Sequence, residues 1–254
     1  MSDITVRPLH SLDDFHRCVQ IARDVWVDAE LDTEPHVTYV IADHTGGQVL
    51  GAFEGNEMVG FTKALVGLHD HTPYLHSHMA AVLPSHRNRH IGRQLKLAQR
   101  EDALRRGIHL IEWTFDPLET KNAHFNINRL GAISRRYIPN FYGITTSPLH
   151  RGMPTDRLLV EWHLDSARAI AAINDLTPEP RDCPVRIHLA PVEQGESSSP
   201  AAAPFSSEHR VGLIDLQSRI RSEFVQWFSK GYAVTSVRST RSGVDYCLSP
   251  YSDF

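Results

Sequence analysis

Between residues 67 and 92 the chain reads GLHDHTPYLHSHMAAVLPSHRNRHIG, which places His69, His71, His76, His78, His86 and His90 in one short stretch of a protein with 16 histidines in 254 residues. Imidazoles at this density could hold a metal ion, sense pH or carry a proton. Zinc needs three or four converging ligands, usually with cysteine or carboxylate among them. Here the run crosses three kinds of element: a loop (His69, Asp70, His71), a strand (His76, His78) and a basic turn (His86, His90). Convergence is therefore not expected, and no metal is called for. The second half of the stretch suggests anion chemistry. A strand passes Pro84 into a loop with Arg87, Arg89 and Gly92 and then into a long helix. Backbone N–H groups at a helix start attract anions, helped by the helix dipole. Arg87, Arg89 and Arg93 add charge suited to phosphate. A pyrophosphate site and a solvated basic turn both fit this composition.

The elements that would position these residues can be read from periodicity. ITVRP is a strand, and Ser11 with Asp14 three residues on signals a helix start. Two apolar runs flank Glu54-Gly55-Asn56-Glu57 as a hairpin. A strand over 74–83 leads to the basic loop, and GRQLKLAQREDALRRG is a helix ended by Gly107. A strand over 109–115 ends at Pro117, a short helix closes at Gly131, and DRLLVEWHL is a further strand. On that helix Asn122 and Asn126 stand four apart and should share a face. Up to residue 165 the order is β-α-(α)-β-β-β-α-β-α-β-β, an α/β mixed central sheet with helices on both faces. Residues 166–254 read as an α+β C-terminal extension: a strand, a Ser/Pro-rich linker at about 191–207, an amphipathic helix and two strands. The helix face of Val211, Ile214, Leu216, Ile220, Phe224, Trp227 and Phe228 is too large to leave wet and predicts docking.

Composition excludes several function classes. A net charge of −4 argues against a general grip on nucleic acid or anionic membrane. The N-terminus carries acids where a signal peptide needs an apolar run, and a cytoplasmic protein is expected. Cys18, Cys183 and Cys247 are odd in number and widely spaced, which predicts reduced thiols that act as small buried hydrophobes.

From Asp3 to about Leu164 the sequence resembles the GCN5-related N-acetyltransferase (GNAT) superfamily. The family's coenzyme A loop reads R/Q-x-x-G-x-G/A, and here stands Arg87-Asn88-Arg89-His90-Ile91-Gly92, after AAVLP in place of the family's laV-x-P strand end. VRPL opens the chain, and NRLGA stands where members carry klGF. The blocks LKLAQREDALRRGIHLIEWTFDPLETKNAHFNINRLGAISRRYIPNFYG and PTDRLLVEWHL are similar to a bacterial subgroup of acetyltransferases. His90 occupies the position of the family's first glycine, a departure.

The resemblance implies an acetyltransferase domain at 1–165, with acetyl-CoA or another acyl-CoA as co-substrate and the amine of a small molecule as acceptor. Acyl-CoA would lie between splayed strands, with pyrophosphate on the amides from Arg87 to Gly92. It implies pantetheine along the backbone of Val82 and the thioester carbonyl at the N–H of Ala80, an oxyanion donor. The family's base position falls on His76, with His78 beside it toward the acceptor, and the usual acid position falls on Ile127. Tyr137 or Tyr142 is then the candidate acid. Asp116 suits a cationic substrate or caps the next helix, while Asn122 and Asn126 suit coenzyme A. A homodimer is possible, and a non-catalytic acyl-CoA-binding module is the alternative.

Overall fold

The computed structural model describes residues 3–26, 33–143, 152–176, 183–190 and 207–251, with side chains in the last stretch from 211 onward. The described chain forms two compact units, the first reaching Glu112 and the second starting at Trp113.

The first unit opens with β1 (Ile4–Pro8) and α1 (Leu12–Trp26). The N–H of Asp14 donates to Ser11 Oγ at 3.1 Å, the cap its sequence predicts. Next come α2 (Val37–His44), β2 (Gln48–Glu54), β3 (Glu57–His69) and β4 (Thr72–Val82). A 3-10 turn (Pro84–His86) precedes α3 (Ile91–Arg105), and β5 (Leu110–Phe115) leads out of the unit. The strand order is β1-β2-β3-β4-β5. Neighbours are antiparallel except β4 and β5, which run parallel at Leu75↔Ile111 and His76↔Glu112. The β3–β4 turn is only Asp70-His71, both at positive φ (45° and 70°), so β4 starts two residues before the expected 74 and His69 lies on a strand.

Alternation along β3 shows that helices cover both faces. Thr62 receives a hydrogen bond from Gln99 of α3, while the next residue, Lys63, donates to Thr38 of α2. Phe15, Cys18 and Ile21 of α1 join Tyr39, Phe53 and Phe61 in one apolar core. Burying each such large side chain stabilises by about 1.5–3 kcal/mol. Cys18 is a buried thiol pushed up to about 12 by that burial, the small hydrophobe expected of it.

The second unit contains the end of β5, α4 (Thr120–His124), a π turn (Phe125–Arg129), β6 (Ile133–Ile138) and β7 (Arg157–His163). It continues through α5 (Ala167–Ile173), β8 (Val185–Leu189), α6 (Ser207–Phe228), β9 (Tyr232–Thr240) and β10 (Gly243–Pro250). Its sheet order is β7-β6-β9-β10-β8. The helix α6 docks within this unit as its apolar face predicts: Leu213, Ile220 and Phe224 are buried, and Phe224 stacks on Tyr137 at 5.8 Å. Val211 (57% exposed) and Ile214 (39%) fall off that stripe, a correction to the expected face. Gly131, at φ +74°, ends the π turn where a Cβ would meet Arg168 O of α5 at 2.7 Å. Most of the expected linker lies outside the described residues.

Cys183 and Cys247, 64 positions apart in sequence, form a disulfide, which corrects the expectation of three reduced thiols. Spacing in sequence hid the pairing because β8 returns beside β10, with Cys247 opposite Arg186. Closing so long a loop contributes roughly 4 kcal/mol on chain-entropy grounds. Cys183→Ser is therefore expected to lower the urea midpoint, and reduction to do the same. An unchanged midpoint in both cases would show that the bond carries no stability. Among the described residues no helix is long and apolar enough to cross a membrane.

Candidate functional site

Strand β4 organises the first unit's polar residues. Its pairing with β3 shifts between Lys63↔Met79 and Ala64↔Ser77, so His78 is an extra, bulged residue. Before the bulge, His76 lies opposite Leu65, on the Lys63 face. His78 also turns to that face, where its Nε2 meets Glu34 Oε1 at 2.9 Å. Their ring centroids are 6.4 Å apart. Ser77 points the other way and accepts from Lys96 Nζ of α3 at 2.7 Å. The bulge is thus held from both faces, by Lys96 below and Glu34 above.

The bulge also sets which backbone groups leave the ladder. The N–H of Leu83 donates to Val59 O at 2.9 Å, so Leu83, Ala81 and Met79 bond toward β3. Ala80 and Val82 consequently turn their N–H and C=O groups to the opposite edge. Ala80 is exposed.

The electrostatics separate the two imidazoles. Burial, with the nearby charges of His78 and Lys96, pushes His76 down to about 4. Glu34 would be raised by burial, but hydrogen bonds from His78 and from Lys63 Nζ (2.7 Å) hold it at about 2. Lys63 is itself only 1% exposed and lies over the Tyr39 ring. Farther out on the same face, His69 Nε2 meets Glu112 Oε1 at 3.1 Å and stacks on Tyr74 at 4.1 Å. Among the described residues no three His, Cys, Asp or Glu side chains converge as a metal set.

At the far end of β4 the chain passes from Arg87, in extended backbone, through Asn88 (φ 61°), Arg89 and His90 (φ 60°) into α3. His90 therefore occupies a left-handed position, the conformation for which glycine is favoured. No side chain caps α3, and a Cβ on Gly92 would meet nothing within 4 Å. The first-turn amides of Ile91, Gly92 and Arg93 are thus an uncapped helix start with open space beside Gly92, which fits a phosphate. Arg89 is not aimed there: it grips Glu54 with two hydrogen bonds, at 3.1 and 2.6 Å.

In the second unit, Asp116 Oδ1 accepts the N–H of Leu118 at 2.8 Å, a local turn rather than a helix cap. The surrounding protein pushes its carboxyl up to about 6 against the pull of Leu118 N–H and Arg157. Its side chain is still 32% exposed, so solvent moderates that rise. Tyr142 bonds Thr114 Oγ1 at 3.1 Å and stays 43% exposed. Tyr137 is buried and donates to Asp156 Oδ2 at 2.6 Å, while Arg221 grips both oxygens of the same carboxylate. Burial and Asp156 raise the Tyr137 hydroxyl, which makes it a poor proton donor to anything else. Tyr137→Phe is expected to cost about 1.5–3 kcal/mol of stability and to leave acetyl transfer within about twofold; a large loss of turnover at unchanged stability would restore it as an acid. Asn122 is exposed whereas Asn126 is buried, because the π turn beginning at Phe125 carries the chain off the α-helical spacing. Ile127 is fully buried.

Glu34, Lys63, Glu54 and Lys96 escaped sequence reasoning, as did Asp156 and Arg221. Glu34 and Lys63 meet across distant segments, and Glu54 passed for a turn residue. Lys96 did carry a signal: with Gln99 and Ala103 it lies on the buried stripe of α3.

An uncapped helix start, a bulged strand with outward amides and a mixed sheet covered on both faces define an acyl-coenzyme A N-acyltransferase fold. Residues 15–131 match the model of the Acetyltransferase (GNAT) family, and that stretch is a GNAT acetyltransferase domain. Members are N-acetyltransferases, and an acyl-coenzyme A is the co-substrate that fits. No curated protein matches the chain. Among solved structures, it is similar to a GNAT-family candidate acetyltransferase from Desulfovibrio desulfuricans (15% identity, TM-score 0.51, 64% of this chain and 99% of that one). A Salmonella typhimurium candidate acetyltransferase with its cofactor acetyl-CoA is similar at 17% identity and TM-score 0.52, over 70% and 99%. One from Acinetobacter baylyi ADP1 is similar at 13% identity and TM-score 0.53, over 70% and 97%. At such identities these likenesses establish the fold.

Proposed function

We propose that the protein transfers an acetyl group from acetyl-CoA to the amine of a small molecule by direct attack in a ternary complex. The observation that carries this is the bulged β4, whose Ala80 and Val82 amides turn away from β3 beside the uncapped start of α3. In this reading Val82 binds the pantetheine backbone and the Ala80 N–H polarises the thioester carbonyl. The amides from Asn88 to Gly92, with Arg93, hold the pyrophosphate, while the Arg87 N–H expected among them is taken by Pro84 O.

Attack requires a neutral amine, so a base must take its proton. His76 holds the family's base position. The Glu34 hydrogen bond supports His78 for that role, because a carboxylate fixes the ring and stabilises the imidazolium that forms. A pKa of about 4 keeps His76 neutral and makes it a weak base. The thiolate then departs without a dedicated acid. Asp116, with its side chain 32% exposed, is the proposed contact for a cationic acceptor. A homodimer and a cytoplasmic location are further parts of this proposal.

The test is direct. Acetyl-CoA should raise the melting temperature by ligand linkage, and a panel of small amines should contain one that releases free thiol. Binding without release across acceptor classes would favour a non-catalytic acyl-CoA-binding module. No shift with any acyl-CoA would sink both.

A further inference from the structure

The β2–β3 hairpin places Glu54 beside the loop that precedes α3. Its carboxylate takes Arg89 in a two-pronged ion pair, at 3.1 and 2.6 Å, and also meets His86 Nε2 at 3.0 Å. The other ring nitrogen of His86 meets Ser85 Oγ at 2.8 Å. One carboxylate therefore ties down both ends of the turn. Arg89 sits between Asn88 and His90, the two residues held at positive φ, where side chains other than glycine are strained. A segment with two left-handed residues keeps that shape only when its surroundings hold it.

We propose that Glu54 is a positioning residue for coenzyme A, and that Arg89 serves the loop rather than the phosphate. The ion pair fixes the backbone so that the amides from Asn88 to Gly92 stand ready for the pyrophosphate, the N–H of Arg87 being donated to Pro84 O at 3.3 Å. It also explains how a histidine is tolerated at position 90: contacts from outside the loop hold the left-handed turn that glycine would adopt unaided. This inference rests on the reading of that loop as the coenzyme A site.

The two roles of Arg89 predict opposite results in titration calorimetry of the full-length protein with coenzyme A. If Arg89 were a phosphate ligand, Glu54→Gln would free it and tighten binding. Arg89→Ala would then weaken binding whatever occupies position 54, and would flatten the salt dependence by about one unit of slope. As a clamp, Glu54→Gln and Arg89→Ala each weaken binding about tenfold, the double variant binds no worse than the weaker single one, and the salt slope stays at the wild-type value. Glu54→Asp, which keeps the charge, should recover part of the loss, and melting temperatures without ligand check that each variant is folded. Tighter binding by Glu54→Gln, or additive losses, overturns the clamp and leaves the coenzyme A reading intact. Absence of binding by the wild type overturns both.

Discussion

Replacing His78 by alanine should lower acetyl transfer by about 10²- to 10⁴-fold, the range that loss of a positioned general base gives, with coenzyme A affinity unchanged. Glu34→Gln should cost about tenfold, because it keeps the hydrogen bond but removes the charge that favours imidazolium. The alternative assignment is tested in the same experiment. His76 is already neutral, at about 4, so His76→Ala should lose less than about tenfold in turnover. Steady-state thiol release with the acceptor found in the screen measures all three. A large loss for His76→Ala with little for His78→Ala would move the base two residues back along β4, to His76. Calorimetry with coenzyme A separates a lost base from a lost binding site.

Lys96 should make the protein gain stability as pH rises above neutrality. Burial lowers its pKa from 10.5 to about 7, against hydrogen bonds to Ser77 Oγ at 2.7 Å and Gln99 Oε1 at 3.2 Å. Between those two values the unfolded chain holds a proton that the folded one has released. Stability therefore climbs with pH through this window, by up to about 1.4 kcal/mol per unit. Below about pH 7 both states are protonated, and the penalty levels off on the order of 5 kcal/mol. Lys96→Met should abolish the climb while leaving Ser77 without its donor, which costs about 1–3 kcal/mol. The measurement is the difference in urea-unfolding free energy between variant and wild type at pH 7.0, 7.75 and 8.5. Cys18 also begins to ionise in the unfolded chain within this range, and the comparison cancels it because both proteins share it. A constant difference across that range would mean that Lys96 stays charged when buried.

Features set by neighbours in sequence are legible from the residues alone. Ser11 and Asp14 form their cap, Gly107 takes the left-handed stop at φ +71°, and Gly55 turns the hairpin. The family motif locates the loop before α3 and marks His90 as a departure. Its backbone angle then explains why glycine is usual there. What the residues alone do not disclose depends on segments brought together by folding. Glu34 meets His78 across 44 positions, Glu112 meets His69 across 43, and Cys247 finds Cys183 across 64. None of these has a spacing signal. The sharing of a face by Asn122 and Asn126 failed for a local reason: periodicity assumes an α-helix, and a π turn begins between them.

The pairing of β9 with β6 and of β8 with β10 fixes the order in which the chain can be finished during synthesis. Strands β1 to β4 of the first unit have been made, and β5 begun, once Glu112 has left the ribosome. The second unit waits far longer, because Ser134 on β6 meets Val234 on β9, and Val185–Leu189 has no neighbour until Val244–Leu248 emerges. Until then an open strand edge is exposed to other nascent chains, the situation in which long-range pairings invite aggregation. A ribosome that stalls between residues 165 and 232 would thus release a protein with a complete first unit and an unsealed second one.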